Sequence, residues 1–163
     1  RDRKAGGGGG VPRGGLARDP GGAMAAPCRA TLYTGGSISG PPGLRTWVSV
    51  DGGLSDNMRP ALYDASYTVV AAGPTTGRPP LETVTVCGRH CESGDIVVDS
   101  AQLPADLAVG DLLAVPASGA YHRSMANNYN CQPRPPVVAV RKGTARLLVR
   151  AETIDDVLRL DVE

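Results

Sequence analysis

Along residues 30–150, apolar side chains recur at alternate positions in short segments, each ended by glycine, proline or aspartate. Period-two alternation puts successive side chains on opposite faces of a pleated strand, so these segments are predicted as half-buried strands. In 44–50, Leu44, Thr46, Val48 and Val50 face one way, while Arg45, Trp47 and Ser49 face the other. In 82–87, Val84 and Val86 share a face opposite Thr83, Thr85 and Cys87. Further strands are predicted over 31–34, 67–72, 96–99 and 112–115. Segments 137–141 and 145–150 flank Lys142-Gly143-Thr144, a hairpin signal. Regular spacing of this kind predicts a mainly β sandwich or barrel. One or two short helices complete the pattern. One starts near Tyr121 and carries Met125 and Tyr129 on one face. The other starts at Thr153, with Asp156 as an acidic partner to the cap and Ile154, Val157 and Leu158 turned inward.

Composition narrows this picture. The 163 residues are 41% apolar, enough for one core of ordinary size, yet phenylalanine is absent and there is one tryptophan. Aliphatic and β-branched side chains must therefore do the packing. A net charge of +1 argues against a nucleic-acid or membrane-surface partner. No run approaches the ~20 apolar residues of a membrane span. Residues 1–22, with Arg1, Arg3, Lys4 and the run Gly6 to Gly10, are too poor in apolar groups to offset backbone entropy and are predicted to be disordered. No strand precedes the glycine run and no Lys-Ser or Lys-Thr pair follows it, so it is not a phosphate cradle. The domain proper is placed at 23–163. Because the chain begins at Arg1 without a secretory signal, a fragment or processed product is expected, with Cys28, Cys87, Cys91 and Cys131 as reduced thiols in a cytoplasmic setting. Cys87, His90, Cys91 and Cys131 or His122 lack the two close ligand pairs usual at zinc, so no metal is expected.

Three polar clusters are the candidate chemistry. Asp51-Gly52-Gly53-Leu54-Ser55-Asp56-Asn57 follows a predicted strand, and Arg59-Pro60-Ala61-Leu62-Tyr63 comes next. The proline argues for an extended chain at Arg59, with the Tyr63 hydroxyl four residues on; an arginine with a tyrosine can grip a carboxylate. His90-Cys91-Glu92-Ser93-Gly94-Asp95 gathers a thiol, two carboxylates, a hydroxyl and an imidazole at a strand end, where a rigid element presents a loop. Its plain alternative is a small buried Cys91 and a solvated Glu92. The third is Ser118-Gly119-Ala120-Tyr121 leading into 124–130, where small residues before a helix leave amides free for an anion. A capped helix and a core tyrosine explain it equally.

In order and spacing, these clusters resemble the diaminopimelate decarboxylase family of fold-type III pyridoxal-phosphate enzymes. The resemblance is carried by Val50-Asp51-Gly52-Gly53, Ser55-Asp56-Asn57, Arg59 to Tyr63, His90 to Asp95, Gly119-Ala120-Tyr121 and Ser124-Met125 through Asn128-Tyr129-Asn130, and runs from about Ala23 to the C-terminus. It implies the C-terminal β-sandwich or Greek-key barrel domain that normally follows a (β/α)8 barrel, with active sites shared across a homodimer. By this resemblance Arg59 and Tyr63 would bind the substrate carboxylate, and Cys91 would protonate the substrate carbon after carbon dioxide leaves. Glu92 would recognise the distal amino-acid end of meso-diaminopimelate, and Tyr121 would contact both cofactor and substrate. The residue types suit these roles, since a thiol with an ordinary pKa of about 8.5 can deliver a proton near neutrality and a carboxylate suits an ammonium group.

The departures matter too. A (β/α)8 barrel takes about 250 residues, and the family's cofactor lysine, phosphate loop and ring-stacking histidine belong to it. The two lysines here are Lys4 and Lys142, neither in a position to bind the cofactor. Where the family carries Glu-Pro-Gly-Arg, this chain has Asp19-Pro20-Gly21-Gly22. The expectation is thus half of a pyridoxal-phosphate site, inactive as an isolated, truncated or frameshifted product. The rivals are the same domain of an ornithine or arginine decarboxylase, or a non-catalytic dimerisation or binding module.

Overall fold

The computed structural model describes residues 25–41, 44–73 and 80–162. Eight strands form: β1 (Ala30–Ser39), β2 (Thr46–Val50), β3 (Val70–Ala71), β4 (Leu81–Cys87), β5 (Ile96–Pro104), β6 (Leu112–Pro116), β7 (Val137–Arg141) and β8 (Thr144–Val149). Three short helices accompany them: α1 (Arg59–Tyr63), α2 (His122–Met125) and α3 (Ile154–Leu158). Six strands make one sheet in the order β3-β6-β1-β2-β4-β5, and its edge strands β3 and β5 approach each other, so the sheet curls into a nearly closed barrel. The mainly β expectation holds. The expected disorder of 1–22 and the Gly6 to Gly10 run lie outside the described residues.

Alternation accounts for the core. Val48 and Val50 of β2, Val84 and Val86 of β4, Leu103 of β5 and Leu113 and Val115 of β6 are all buried around Tyr33. Each such side chain removed from water contributes about 2 kcal/mol. Thr85, expected on the opposite face from the valines, is buried as well, at the point where the β4–β5 register shifts between Val84 and Val86. Its hydroxyl donates to the Asp99 carbonyl at 2.6 Å. Leu44 lies outside β2 and is exposed.

β1 is longer than the predicted 31–34. Its first half pairs with β6 and its second half with β2, across a register shift after Gly35. Gly36 lets the strand continue, since a Cβ there would stand 2.6 Å from Ser49 Oγ. All pairings but one are antiparallel; β2 and β4 run parallel, so the chain from 51 to 80 must cross from one end of the sheet to the other. The predicted strand 67–72 shrinks to two residues, although Val69 still enters the core.

The β7–β8 hairpin is a separate sheet, turned by Lys142 and Gly143, both at positive φ. Val138, Val140, Leu147 and Leu148 on it are exposed. It is tied down by Glu152, which receives the guanidinium of Arg134, the Arg134 backbone N–H at 2.9 Å and Asn128 Nδ2 at 2.7 Å. The hydrogen bonds from Arg134 hold the Glu152 carboxyl down at about 2. Thr153 caps α3 in a reciprocal pair with Asp156, as the sequence predicts. Ile154 and Leu158 nevertheless stay exposed, and Val157 is half-buried, because this one-and-a-half-turn helix packs on no broad apolar face among the described residues.

Candidate functional site

Two buried carboxylates build the floor of the site. Asp95 is 3% exposed, and its oxygens accept the N–H groups of Leu54 at 2.7 Å and His90 at 2.8 Å, stitching the loop after β2 to the loop after β4. Gly53 and Gly88 make room for it, since a Cβ on either would press into that carboxylate at well under 3.0 Å. Asp56 accepts from the Tyr33 hydroxyl at 2.5 Å and the Gly53 N–H at 2.7 Å. Burial nonetheless pushes the Asp56 carboxyl above the ordinary carboxylate range. Burial, with Asp56 beside it, likewise raises the Tyr33 phenol well above its usual value.

On this floor stands Arg59, at the start of α1. The extended chain expected there is not what forms, because a proline in the first helical turn loses no hydrogen bond: its missing N–H would be unpaired anyway. Arg59 Nη1 donates to the Tyr67 hydroxyl at 3.1 Å, and its guanidinium carbon lies 5.4 Å from the centre of the Tyr121 ring. Tyr63 is one helical turn further on and largely exposed. Tyr121 holds φ at +69°, an uncommon conformation for a bulky residue, as it turns the chain into α2. His122 packs edge-on to Tyr67 with ring centres 5.4 Å apart, and its Nδ1 donates to the Ala120 carbonyl at 3.0 Å. Burial holds this imidazole below its ordinary pKa.

Cys91 and Glu92 form the second half, on the tip of the β4–β5 loop. Both are exposed, so the buried alternative for Cys91 does not hold. Glu92 Oε2 accepts from the Tyr129 hydroxyl at 3.4 Å, and its Oε1 from Ser93 Oγ at 3.3 Å and the Gly94 N–H at 3.4 Å. Tyr129 was expected on the helical face of Met125. It lies instead in a 3-10 turn, Tyr129–Cys131, because α2 stops at Met125 and the Asn127 side chain takes the Tyr129 N–H at 2.9 Å. The Asn127 N–H in turn donates to the Ser55 carbonyl at 2.9 Å, and Asn127 Nδ2 contacts the Met58 sulfur at 3.7 Å, next to Arg59.

The structure thus brings Arg59 and Tyr121 together, sets Tyr63 on the next turn, and links the Cys91-Glu92 loop to them through Tyr129, Asn127 and Met58. Sequence reasoning placed Ser55, His90, Asn127 and Tyr129 inside the matching motifs without assigning them to the site, and it missed Tyr67 as the anchor of Arg59. Asn57 has its whole side-chain amide, and His122 its Nε2, buried without a hydrogen-bond partner among the described residues.

Lys142 is the one lysine among the described residues and sits in the β7–β8 turn, so the group of side chains around Arg59 and Tyr121 offers no described lysine as a covalent anchor for pyridoxal phosphate. Among the described residues no three His, Cys, Asp or Glu side chains gather as metal ligands, and no helix is long and apolar enough to cross a membrane.

Residues 25–119 match the family model described as pyridoxal-dependent decarboxylase, C-terminal sheet domain. The chain is 50% identical over 153 residues to the diaminopimelate decarboxylase of Actinosynnema pretiosum subsp. auranticum, covering 93% of this chain and 33% of that protein. It is 48% identical over 144 residues to that of Bacillus subtilis, covering 88% and 32%. The solved diaminopimelate decarboxylase of M. jannaschii in complex with L-lysine superimposes with a TM-score of 0.79 at 33% identity, covering 87% of this chain and 32% of that one. The chain spans about a third of the length of the curated relatives it matches. With the barrel-like sheet, the clustered arginine and tyrosines and the exposed thiol-carboxylate loop, these likenesses establish that the chain belongs to the pyridoxal-phosphate-dependent decarboxylases, as their C-terminal sheet domain.

Proposed function

We propose that this chain supplies the substrate-gripping and proton-donating wall of a diaminopimelate decarboxylase, which converts meso-diaminopimelate to L-lysine and carbon dioxide. The carrying observation is the placement of Arg59 under Tyr121, with the Cys91-Glu92 loop tied to the same group of loops through Asn127. Arg59 presents a fork of N–H donors to a carboxylate, and its anchorage on Tyr67 reduces the freedom it loses when it binds. Tyr63 stands one turn away to share that carboxylate. Glu92 offers its oxygens to the ammonium group at the far end of the substrate. Tyr121 would be the residue of this chain to meet pyridoxal phosphate, which would supply an electron sink for the pair left on the carbon as carbon dioxide departs. Cys91 then gives its thiol proton to the carbon that lost carbon dioxide, and solvent returns the proton to the exposed sulfur.

The lysine that holds the cofactor belongs to the part of the relatives that this chain does not span. By itself the chain is therefore inactive. In the intact enzyme two copies share their sites, in a cytoplasmic setting that suits four cysteines held outside any disulfide. The test is to fuse the chain to the N-terminal two thirds of the Bacillus subtilis relative and follow carbon dioxide release from meso-diaminopimelate. The fusion should turn over with pyridoxal phosphate and lose activity at least a hundredfold on Cys91→Ala, while the chain alone releases none. Turnover by the chain alone, or a folded fusion without activity, would overturn the reading.

A further inference from the structure

Ser55, His90, Glu92, Tyr129 and Asn127 close a circuit that joins three loops. His90 is 8% exposed, and its Nε2 lies 2.9 Å from Ser55 Oγ. Two residues on, Glu92 accepts from the Tyr129 hydroxyl. The Tyr129 N–H returns to Asn127 Oδ1, and the Asn127 N–H to the Ser55 carbonyl. Across the middle, the Tyr129 ring packs edge-on to the His90 imidazole, with centres 5.5 Å apart at 64°.

Glu92 sits at an exposed loop tip, where a flexible carboxylate would sample several rotamers and lose that freedom on binding a ligand. Among the described residues, two of the carboxylate's three hydrogen-bonding contacts, with Ser93 and Gly94, come from its own loop and move with it. Tyr129 is the contact from elsewhere. Its backbone is held by Asn127 and its ring by His90, which is in turn held by Ser55. We propose that Tyr129 and His90 are positioning residues that fix the Glu92 carboxylate and so set discrimination for an ammonium group at the far end of the substrate. This rests on the role assigned to Glu92 above.

The test uses the fused enzyme with meso-diaminopimelate and with 2-aminopimelate, which lacks the second amine. Tyr129→Phe keeps the ring and removes only the hydroxyl. It should cut the preference for meso-diaminopimelate over 2-aminopimelate about fivefold, the loss falling on KM rather than kcat. Ser55→Ala, which frees His90, should act in the same direction. Glu92→Gln should reduce the preference further, and adding Tyr129→Phe to it should cost nothing more, because the hydroxyl acts through the carboxylate. If Glu92→Gln lowers the preference while neither Tyr129→Phe nor Ser55→Ala changes it, the circuit is only a structural staple and the proposal fails. If Glu92→Gln itself leaves the preference intact, the proposal falls together with the role given to Glu92.

Discussion

Replacing Asp95 by asparagine should unfold the chain far more readily than its conservative chemistry suggests. The carboxylate accepts two backbone N–H groups, from Leu54 and His90, at 2.7 and 2.8 Å. Asparagine keeps one accepting oxygen and turns an NH2 group toward the second donor, so one bond is lost and one N–H is left facing another donor. The side chain cannot slip away from this conflict, because Gly53 and Gly88 close on it from both sides. A hydrogen bond to a charged acceptor contributes about 1.5–3 kcal/mol, and an orphaned buried donor costs about 1–3 kcal/mol. The net loss, allowing for partial relaxation, is about 3 kcal/mol, a large part of the 5–15 kcal/mol by which domains are usually stable. With a urea slope of about 2 kcal/mol/M, the midpoint should fall by about 1.5 M with the slope unchanged. Hydrogen exchange at the Leu54 and His90 amides should accelerate beyond the global change. A midpoint shift below about 0.3 M, with those two amides still protected, would refute the view that this carboxylate holds the two loops together.

Two further outcomes follow from the charges and thiols. Glu152 is held at about 2 against an ordinary 4.5, so its contribution is fully present above about 4.5 and is lost as the pH falls through about 2. Proton NMR should show the β7–β8 hairpin and α3 loosening in that window, and Arg134→Ala should abolish the dependence. Among the thiols, burial raises Cys87 above its ordinary value while Cys28, Cys91 and Cys131 are exposed. Iodoacetamide at pH 7.5 should therefore label those three well before Cys87, as read by mass spectrometry.

Much of the barrel was legible because valine and leucine alternate cleanly: Val48 and Val50, Val84 and Val86, and Leu113 and Val115 all point into the core as their period requires. The failures have local causes. The Gly35-Gly36 pair reads as a strand end, yet β1 runs through it because Gly36 is needed for close approach to Ser49. Pro60 argues for an extended chain at Arg59, yet both residues lie in the first turn of α1. Tyr129 fits the spacing of a continued helix, but that helix ends where Asn127 bonds to Ser55, a partner more than seventy residues away that no local pattern reveals. For the site, residue types pointed to a carboxylate grip at Arg59 and Tyr63, and the family resemblance implied proton delivery by Cys91. The anchoring of Arg59 on Tyr67, and of Glu92 on Tyr129, required the fold.

The lone parallel pairing has a kinetic consequence. The β1–β2 and β4–β5 hairpins can each zip outward from their own turns, whereas β2 and β4, which join them, meet only after some thirty intervening residues have been looped out. That loop carries Asp56, Arg59, Tyr63 and Tyr67. The proposed grip on a substrate is therefore assembled only when the two hairpins dock, and a chain arrested before that step would keep its hairpins while being blind to the proposed ligand.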